Sequence, residues 1–153
     1  MKHEEVLAAI RDVKDFPVEG IVFKDITTVL SNPEYLKWMK DEIVNLYRAY
    51  GITKVVGIES RGFILGPAVA MDLGAGFVPV RKPGKLPAET IEVSYAKEYG
   101  VDTIQIHADA LCENDVVLLH DDLLATGGSM AAALELVRKF NVKKVYINFI
   151  IEL

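Results

Sequence analysis

The run "VVLLHDDLLATGGSM", Val116 to Met130, places a short apolar stretch directly before two adjacent carboxylates and a group of small residues. The apolar residues 116–119 predict a strand that is covered on both faces, and the chain beyond Gly128 predicts a helix. The charges and glycines are therefore expected in a strand-to-helix turn, where open α/β sheets bind ligands. The run thus predicts an α/β fold with a ligand site at this turn.

Other segments supply the remaining strands and helices of such a fold. The segments "KVVGIE" (Lys54 to Glu59) and "FVPV" predict strands on either side of the helix-like "GFILGPAVAMDLG", and "KKVYINFIIEL" predicts a closing strand. This order favours a right-handed, mostly parallel sheet. The segment "NPEYLKWMKDEIVNLYRAYG" predicts a helix with Asn32 as N-cap, Pro33 at the first helical position and Gly51 after its end.

Two regions have other patterns. The residues Val6, Ile10 and Val13 recur at helical spacing and predict a first helix, and the Pro- and Gly-containing stretch that follows predicts an irregular cap. Between Ala88 and His107, two β-branched segments on either side of residues 98–101 predict a hairpin.

Length and composition limit the possible functions. The chain has 153 residues, of which 51% are hydrophobic, so a single domain spanning residues 1–153 is expected. The formal net charge of -5 provides no global positive field, which excludes nucleic acid and an anionic membrane as expected partners. Any anionic ligand must therefore be bound by local positive charge.

Cysteine and histidine usage indicates a reduced chain without a histidine or cysteine metal site. A single cysteine, Cys112, excludes an internal disulfide, and His3, His107 and His120 lack the spacing of metal ligands. The charged N-terminus is unlike a signal peptide, and no stretch has the length of a membrane span. We therefore expect a cytoplasmic protein.

The predicted turn has the chemistry of a sugar-phosphate site. Asp121 and Asp122 repel each other, and one carboxylate would suffice as a helix cap. Residues 125–129 open the helix with small residues whose N–H groups can face a phosphate, together with the hydroxyls of Thr126 and Ser129. Carboxylates accept hydrogen bonds from ribose hydroxyls, so a ribose 5-phosphate moiety is the expected ligand. The kinase and dehydrogenase fingerprints are absent from the sequence.

Long motifs resemble one enzyme family. The run "VVLLHDDLLATGGS" resembles the 5-phosphoribosyl 1-diphosphate (PRPP) signature of type I phosphoribosyltransferases. Three further stretches, "DFPVEGIVFKDIT", "VVGIESRGFILGPAVA" and "RKPGKLP…SYAKEYG", resemble the adenine-specific branch of that family in order and spacing. The resemblance covers nearly the whole chain. It implies a mostly parallel sheet flanked by helices, a small N-terminal hood, a flexible hairpin lid and a shortened C-terminus.

The resemblance also implies a reaction. Adenine and PRPP would give AMP and diphosphate in purine salvage, with Mg²⁺ held mainly by diphosphate and ribose oxygens and without direct protein ligands. A homodimer is implied as well. Two alternatives remain open from the sequence: a regulator that senses PRPP on the same fold, and a sister transferase that uses hypoxanthine or guanine.

The resemblance assigns a role to each matching residue. Glu98 would handle a purine proton and Arg61 would bind diphosphate and assist its departure, which makes them the expected catalytic pair. The expected PRPP- and AMP-binding residues are Asp121, Asp122, Ala125, Thr126, Gly127, Gly128 and Ser129. The expected diphosphate-binding residues are Arg61, Arg81, Lys82, Lys85 and Tyr99, with the basic cluster acting in its own or the neighbouring subunit. The expected adenine-binding residues are Val22, Phe23 and Lys24.

Each assignment has a plainer alternative when the residue is taken by itself. Phe23 fits a core position, and Arg61, Glu98 and the basic cluster fit a solvated surface. His120 beside two aspartates suggests a catalytic triad, but no nucleophile motif accompanies it, so we expect a structural histidine at the end of a strand. Cys112 is expected to serve packing rather than chemistry.

Overall fold

The computed structural model describes residues 2–97, 99–124 and 128–152, and for 122–124 and 151–152 the description covers the main chain. The chain divides into two compact units, residues 1–42 and 43–153, called here the N-terminal unit and the sheet unit. Each is described by itself.

The N-terminal unit contains short elements. In chain order they are α1 (Lys2–Ala9), β1 (Arg11–Lys14), β2 (Val22–Asp25), α2 (Thr27–Leu30) and the first part of α3 (Pro33–Tyr47). Asn32 caps α3 as expected, because its Oδ1 accepts hydrogen bonds from the main-chain N–H groups of Glu34 and Tyr35 at 3.0 and 3.3 Å.

The first helix is shorter than its apolar spacing predicts. It ends at Ala9, and Val13 lies in β1, where it pairs with Phe23 of the antiparallel strand β2. The expected irregular cap likewise contains β2 and α2. The prediction was wrong at Val13 because three apolar residues at helical spacing carry no information about a partner strand later in the chain.

The sheet unit follows the predicted α/β order. Its elements are β3 (Lys54–Ile58), α4 (Gly62–Leu73), β4 (Gly76–Val80), β5 (Thr90–Lys97), β6 (Gly100–His107), β7 (Val116–Leu124), α5 (Gly128–Arg138) and β8 (Lys144–Glu152). Four of the strands form a parallel sheet in the order β4-β3-β7-β8. Strands β5 and β6 form the predicted antiparallel hairpin.

The central strands are buried on both faces, as their continuous apolar sequences require. Val55 and Val56 of β3 and Leu118 and Leu119 of β7 are all fully buried. One face packs on α5, whose Leu136 joins Val56 and Leu119 in the main apolar cluster. The core thus holds the ends of β3 and β7 in fixed positions.

Strand β7 runs further than the sequence predicts. The aspartates were expected in a turn, but residues 121 and 122 still belong to β7, and Asp121 pairs with Phe149 of β8. The reason is that β8 is nine residues long and offers parallel partners as far as Glu152. The small residues 125–127 lie outside the described residues, and α5 begins at Gly128.

Within the described ranges, none of the helices has the length and apolar character needed to cross a bilayer.

Candidate active site

The strand order reverses direction between β3 and β7. From β3 the chain passes through α4 to β4 on one side, whereas from β7 it passes through α5 to β8 on the other side. The loops that follow β3 and β7 therefore diverge, and a crevice opens at the carboxyl ends of these strands. Ligands of open α/β sheets bind at such a point.

Two glycines allow the turn after β3 to lie against β7. A Cβ atom on Gly62 would come within 2.9 Å of the His120 carbonyl oxygen, and one on Gly57 would come within 2.7 Å of the Gly62 carbonyl oxygen. Any side chain at these positions would force the backbones apart. The glycines thus bring the turn that carries Arg61 next to the end of β7.

A cleft of about 220 Å³ lies at this edge of the sheet. Its walls come from the ends of β3, β4 and β7, the start of α5 and the hairpin. The lining residues are Ile58, Glu59, Val80, Arg81, Lys82, Tyr95, Asp102, Ile104, Asp121 and Ser129. Four residues expected from the sequence, Arg81, Lys82, Asp121 and Ser129, are thus brought together.

Neighbouring residues of β7 point to opposite faces of the sheet. Asp121 lines the cleft, whereas the His120 side chain is buried and its Nδ1 lies 2.9 Å from Oδ1 of Asn148 on β8. Successive strand residues alternate between the two faces, so His120 faces away from the cleft. The two side chains therefore do not form a catalytic pair, which supports the structural role expected for His120.

The basic residues after β4 surround the carboxylate of Glu59. Oε1 of Glu59 accepts a hydrogen bond from Arg81 Nε at 3.0 Å and another from the Lys82 main-chain N–H at 3.1 Å, and Oε2 lies 3.7 Å from Lys85 Nζ. Burial raises the pKa of Glu59, but these hydrogen bonds and charges outweigh it and hold the pKa below its usual value. The carboxylate is therefore ionised, and the cluster is an organised ion-pair network.

A second carboxylate, Asp102 of β6, faces the same loop. Its Oδ2 lies 3.7 Å from Lys82 Nζ and 3.3 Å from Lys97 Nζ. Burial raises the pKa of Asp102, but the hydrogen bond from Lys97 and the nearby positive charges lower it by more. The pKa therefore lies below its usual value. Asp102 thus connects the hairpin electrostatically to the basic loop.

Tyr95 of β5 places a neutral phenol in the cleft. Its hydroxyl donates a hydrogen bond to Asp102 Oδ2 at 3.4 Å. Burial raises the pKa of Tyr95, and the negative charges of Asp102 and Asp121 raise it further. The group can therefore act as a hydrogen-bond donor at neutral pH but not as an anion.

Sequence reasoning missed Glu59, Tyr95 and Asp102. A signal existed for Tyr95, since Ile91, Val93 and Tyr95 alternate along β5 and pack on the core face. For Glu59 and Asp102 the sequence shows only that each side chain is charged, because their partners lie on other elements of the fold.

The remaining expected residues are not part of the cleft lining, or they lie outside the description. Arg61 is half-buried in the turn between β3 and α4, Tyr99 is 86% exposed in the turn of the hairpin, and Gly128 is the first residue of α5. Four residues fall outside the described ranges, namely Glu98, Ala125, Thr126 and Gly127, and Asp122 is described by its main chain alone.

The expected adenine-binding residues lie on β2 of the N-terminal unit. The Phe23 ring meets the Phe16 ring edge-on, with centroids 5.2 Å apart, and Lys24 Nζ lies 2.6 Å from Asp12 Oδ1. Val22 and Lys24 are two residues apart on one strand, so their main-chain N–H and C=O groups point to the same edge. An aromatic face and an edge of this kind can bind a flat heterocycle.

Within the part of the chain that the structure describes, no group of three or more His, Cys, Asp or Glu side chains is arranged to hold a metal ion. The cleft offers oxygen donors, and its cations are engaged by Glu59 and Asp102.

Comparison with known proteins identifies close relatives. The family model described as "Phosphoribosyl transferase domain" matches residues 25–152. The adenine phosphoribosyltransferase of Bacteroides fragilis is 64% identical over 153 residues, which are 100% of this chain and 86% of the relative.

Solved structures agree with the sequence comparison. The adenine phosphoribosyltransferase of Giardia lamblia in complex with 9-deazaadenine superimposes with a TM-score of 0.95 at 47% identity, covering 100% of this chain and 86% of that chain. The enzyme of Saccharomyces cerevisiae, in complex with an imino-altritol bisphosphate and adenine, gives a TM-score of 0.93 at 40% identity. The match covers 99% of this chain and 89% of that chain.

Proposed function

This chain belongs to the phosphoribosyltransferase family and, within it, to the adenine phosphoribosyltransferases, and on that basis we propose how its residues act. The reaction converts adenine and PRPP to AMP and diphosphate, a step of purine salvage. The two alternatives, a PRPP-sensing regulator and a 6-oxopurine transferase, find no support among these relatives, which carry the adenine-specific name.

One observation carries the proposed binding mode: the cleft combines a carboxylate on β7 with a basic wall after β4. The ribose hydroxyls of PRPP are proposed to donate hydrogen bonds to Asp121, which lines the cleft, and to the neighbouring Asp122, whose side chain lies outside the description, and the diphosphate is proposed to lie toward Arg81 and Lys82. Neutral hydroxyls bind a carboxylate acceptor and an anionic leaving group binds cations, which supports this orientation of PRPP in the cleft.

The 5-phosphate is proposed to bind at the start of α5, along residues 125–129. The support is that α5 is an eleven-residue helix with its first turn at the cleft, where Ser129 is part of the lining. Helix N-termini present unpaired N–H groups and a partial positive charge to an anion.

The leaving diphosphate is proposed to bind Arg61, Lys85 and Tyr99 as well as the basic wall. As the C1′–O bond breaks, positive charge grows on the sugar and negative charge on the departing group. Guanidinium and ammonium groups fixed beside that group stabilise its charge in the transition state. The organised network around Glu59 supports such fixed positions.

Mg²⁺ is proposed as the cofactor, bound mainly by oxygens of the diphosphate and ribose. The described residues fit this, because a hard cation takes oxygen ligands and the cleft supplies the Asp121 carboxylate beside the proposed ribose position. When bound, the ion neutralises part of the diphosphate charge.

Adenine is proposed to stack on Phe23, with the main chain of Val22 and Lys24 reading its edge. The pairing of Phe23 with Phe16 supports an apolar surface on β2, and the shared direction of the two main-chain edges supports readout of a neutral base. Residues 1–153 would then act as one domain.

Glu98 is proposed as the group that exchanges a purine proton, carried by the hairpin that closes over the site. Closure would exclude water, which would otherwise capture the sugar cation before adenine N9 does. The support is the position of the hairpin, whose Tyr95 and Asp102 line the cleft.

A homodimer in the cytoplasm is proposed for the assembled enzyme. Helix α4 is apolar on all sides, with Asp72 as its one charged residue, and its side chains Ile64 and Met71 are 43% and 73% exposed. An apolar helix face exposed in the monomer favours burial against a second subunit. The single cysteine supports a reducing compartment.

The proposal is tested by incubating the chain with adenine, PRPP and Mg²⁺. We expect AMP and diphosphate in equal amounts, with no product when PRPP is omitted and a strong loss of rate when the metal is chelated. Binding of PRPP without formation of AMP would contradict the enzyme assignment and favour the regulator.

A further inference from the structure

Glu59 contacts the basic loop, residues 81–85, more extensively than a surface carboxylate does. It lies at the end of β3, its side chain is 15% exposed, and it meets Arg81, Lys82 and Lys85 through separate contacts. It is not among the residues proposed above to bind PRPP or diphosphate directly. A carboxylate beside a diphosphate site is unfavourable unless it serves another purpose, because like charges repel.

The groups that Glu59 engages indicate that purpose. With Arg81 it uses only Nε–H, at 3.0 Å, and leaves the terminal guanidinium nitrogens to other acceptors. With Lys82 it uses the main-chain N–H, at 3.1 Å, rather than the ammonium group. The contacts with Arg81 and Lys82 fix the path of the loop and the orientation of the guanidinium, and they leave the terminal guanidinium nitrogens and the Lys82 ammonium away from Glu59, whereas the Lys85 ammonium is ion-paired with it at 3.7 Å.

The same residue also connects the two segments that carry the expected diphosphate ligands. Its main-chain N–H donates a hydrogen bond to the Val80 carbonyl oxygen at 2.9 Å, and Arg61 follows it by two residues in the turn after β3. Arg81 is further fixed by main-chain hydrogen bonds with Gln105 of β6, at 2.9 and 2.7 Å. A substitution of Glu59 would therefore release the basic loop only on the side that faces the cleft, because the hydrogen bonds of Arg81 with Gln105 would remain.

We propose that Glu59 is a positioning residue for the diphosphate end of PRPP: its carboxylate holds the Arg81 guanidinium and the loop after β4 in the geometry that binds diphosphate. The inference rests on the proposed function, since it requires that the basic loop binds that group. Pre-organised cations bind an anion more tightly than cations that must first be ordered.

Two variants separate positioning from simple charge repulsion. Glu59→Gln keeps an oxygen that accepts hydrogen bonds from Arg81 and Lys82 but loses the charge opposite Lys85. Glu59→Leu loses both the acceptor oxygen and the charge. The matched control is Glu113→Gln, which removes the same charge from an exposed turn before β7. The readouts are the Kd of inorganic diphosphate by calorimetry in the presence of Mg²⁺, and the KM values for PRPP and adenine.

We expect Glu59→Gln to weaken diphosphate and PRPP a few-fold and Glu59→Leu to weaken them about tenfold or more, with the KM for adenine unchanged. Equal affinities in the Gln variant and the unaltered chain, or tighter binding in either variant, would overturn the inference. The Gln variant decides the question even if the Leu variant does not fold. If the unaltered chain binds no diphosphate, the proposed function fails together with this inference, whereas normal binding that is insensitive to Glu59 overturns this inference alone.

Discussion

At the scale of single residues, alternation along β7 separates two neighbouring side chains. Asp121 faces the cleft and the buried His120 faces the opposite side of the sheet. Adjacent positions in the sequence are therefore expected to serve different purposes, one in the proposed ligand binding and one in packing.

The double change Asp121→Asn with Asp122→Asn is expected to weaken PRPP binding strongly. Hydrogen bonds to charged groups contribute about 1.5–3 kcal/mol each, and an amide replaces only part of a carboxylate's acceptor capacity. Calorimetry with PRPP and Mg²⁺ measures the change, and Asp109→Asn, at an exposed position, is the control. Unchanged PRPP affinity in a folded double variant would disprove the proposed ribose site.

His120→Val is expected to lower stability while leaving kcat within a few-fold of the unaltered enzyme. The change removes one hydrogen-bond partner of the buried Asn148 side chain, which also contacts Tyr47, and hydrogen-bonding capacity left unmet in the interior costs about 1–3 kcal/mol. Adding Asn148→Val should recover part of that loss, as measured by denaturant unfolding of the single and double variants. A large fall in kcat in a folded His120→Val protein would show that the imidazole takes part in the reaction.

The sequence marks candidate ligand-binding residues more clearly than it marks the residues that hold them in place. Arg81, Asp121 and Ser129 belong to recognisable motifs and meet in one cleft. Glu59 lies in the stretch "VVGIESRGFILGPAVA" but receives no role from the resemblance, and Asp102 lies in none of the quoted motifs. Their contacts depend on which strands become neighbours, and a single sequence does not contain that information.

At the scale of elements, predictions held where local chemistry determines the outcome. The cap at Asn32 and the hairpin of β5 and β6 are examples, since both depend on residues close together in the chain. Two predicted element boundaries were wrong because the opposite holds there. Val13 joins a strand and β7 continues through Asp121 because partner strands elsewhere in the chain extend these segments.

The hairpin is the element on which the proposed chemistry depends. Glu98→Gln preserves the shape of the side chain but cannot exchange a proton at neutral pH, and general acid-base catalysis contributes about 10²–10⁴-fold. We expect a large fall in the single-turnover rate with PRPP affinity little changed. Single-turnover experiments are required because they separate chemistry from product release.

The control for this variant is Glu92→Gln on the same hairpin, where the carboxylate accepts a hydrogen bond from Gln105 at 2.8 Å. It should leave the single-turnover rate unchanged. An unaltered rate in Glu98→Gln would mean that Glu98 is a surface charge and that another group handles the purine proton.

At the scale of the whole molecule, the parallel sheet was predictable because repeated strand-helix-strand order leaves few ways to assemble the chain. The cleft lies where the strand order reverses, so the position of the site follows from the topology. No change in amino-acid composition marks residues 1–42 as a separate compact unit. The division depends on contacts made after folding.

As an adenine phosphoribosyltransferase, this chain transfers the phosphoribosyl group of PRPP to adenine. The most direct test compares adenine, hypoxanthine and guanine as acceptors at saturating PRPP and Mg²⁺, with kcat/KM measured from the appearance of each nucleotide. We expect efficient formation of AMP and far slower reaction with both 6-oxopurines, because the segment "GIVFKD" resembles the adenine-reading hood. Equal or greater use of hypoxanthine or guanine, or no nucleotide from any of the three bases, would contradict the assignment of this chain as an adenine-specific transferase.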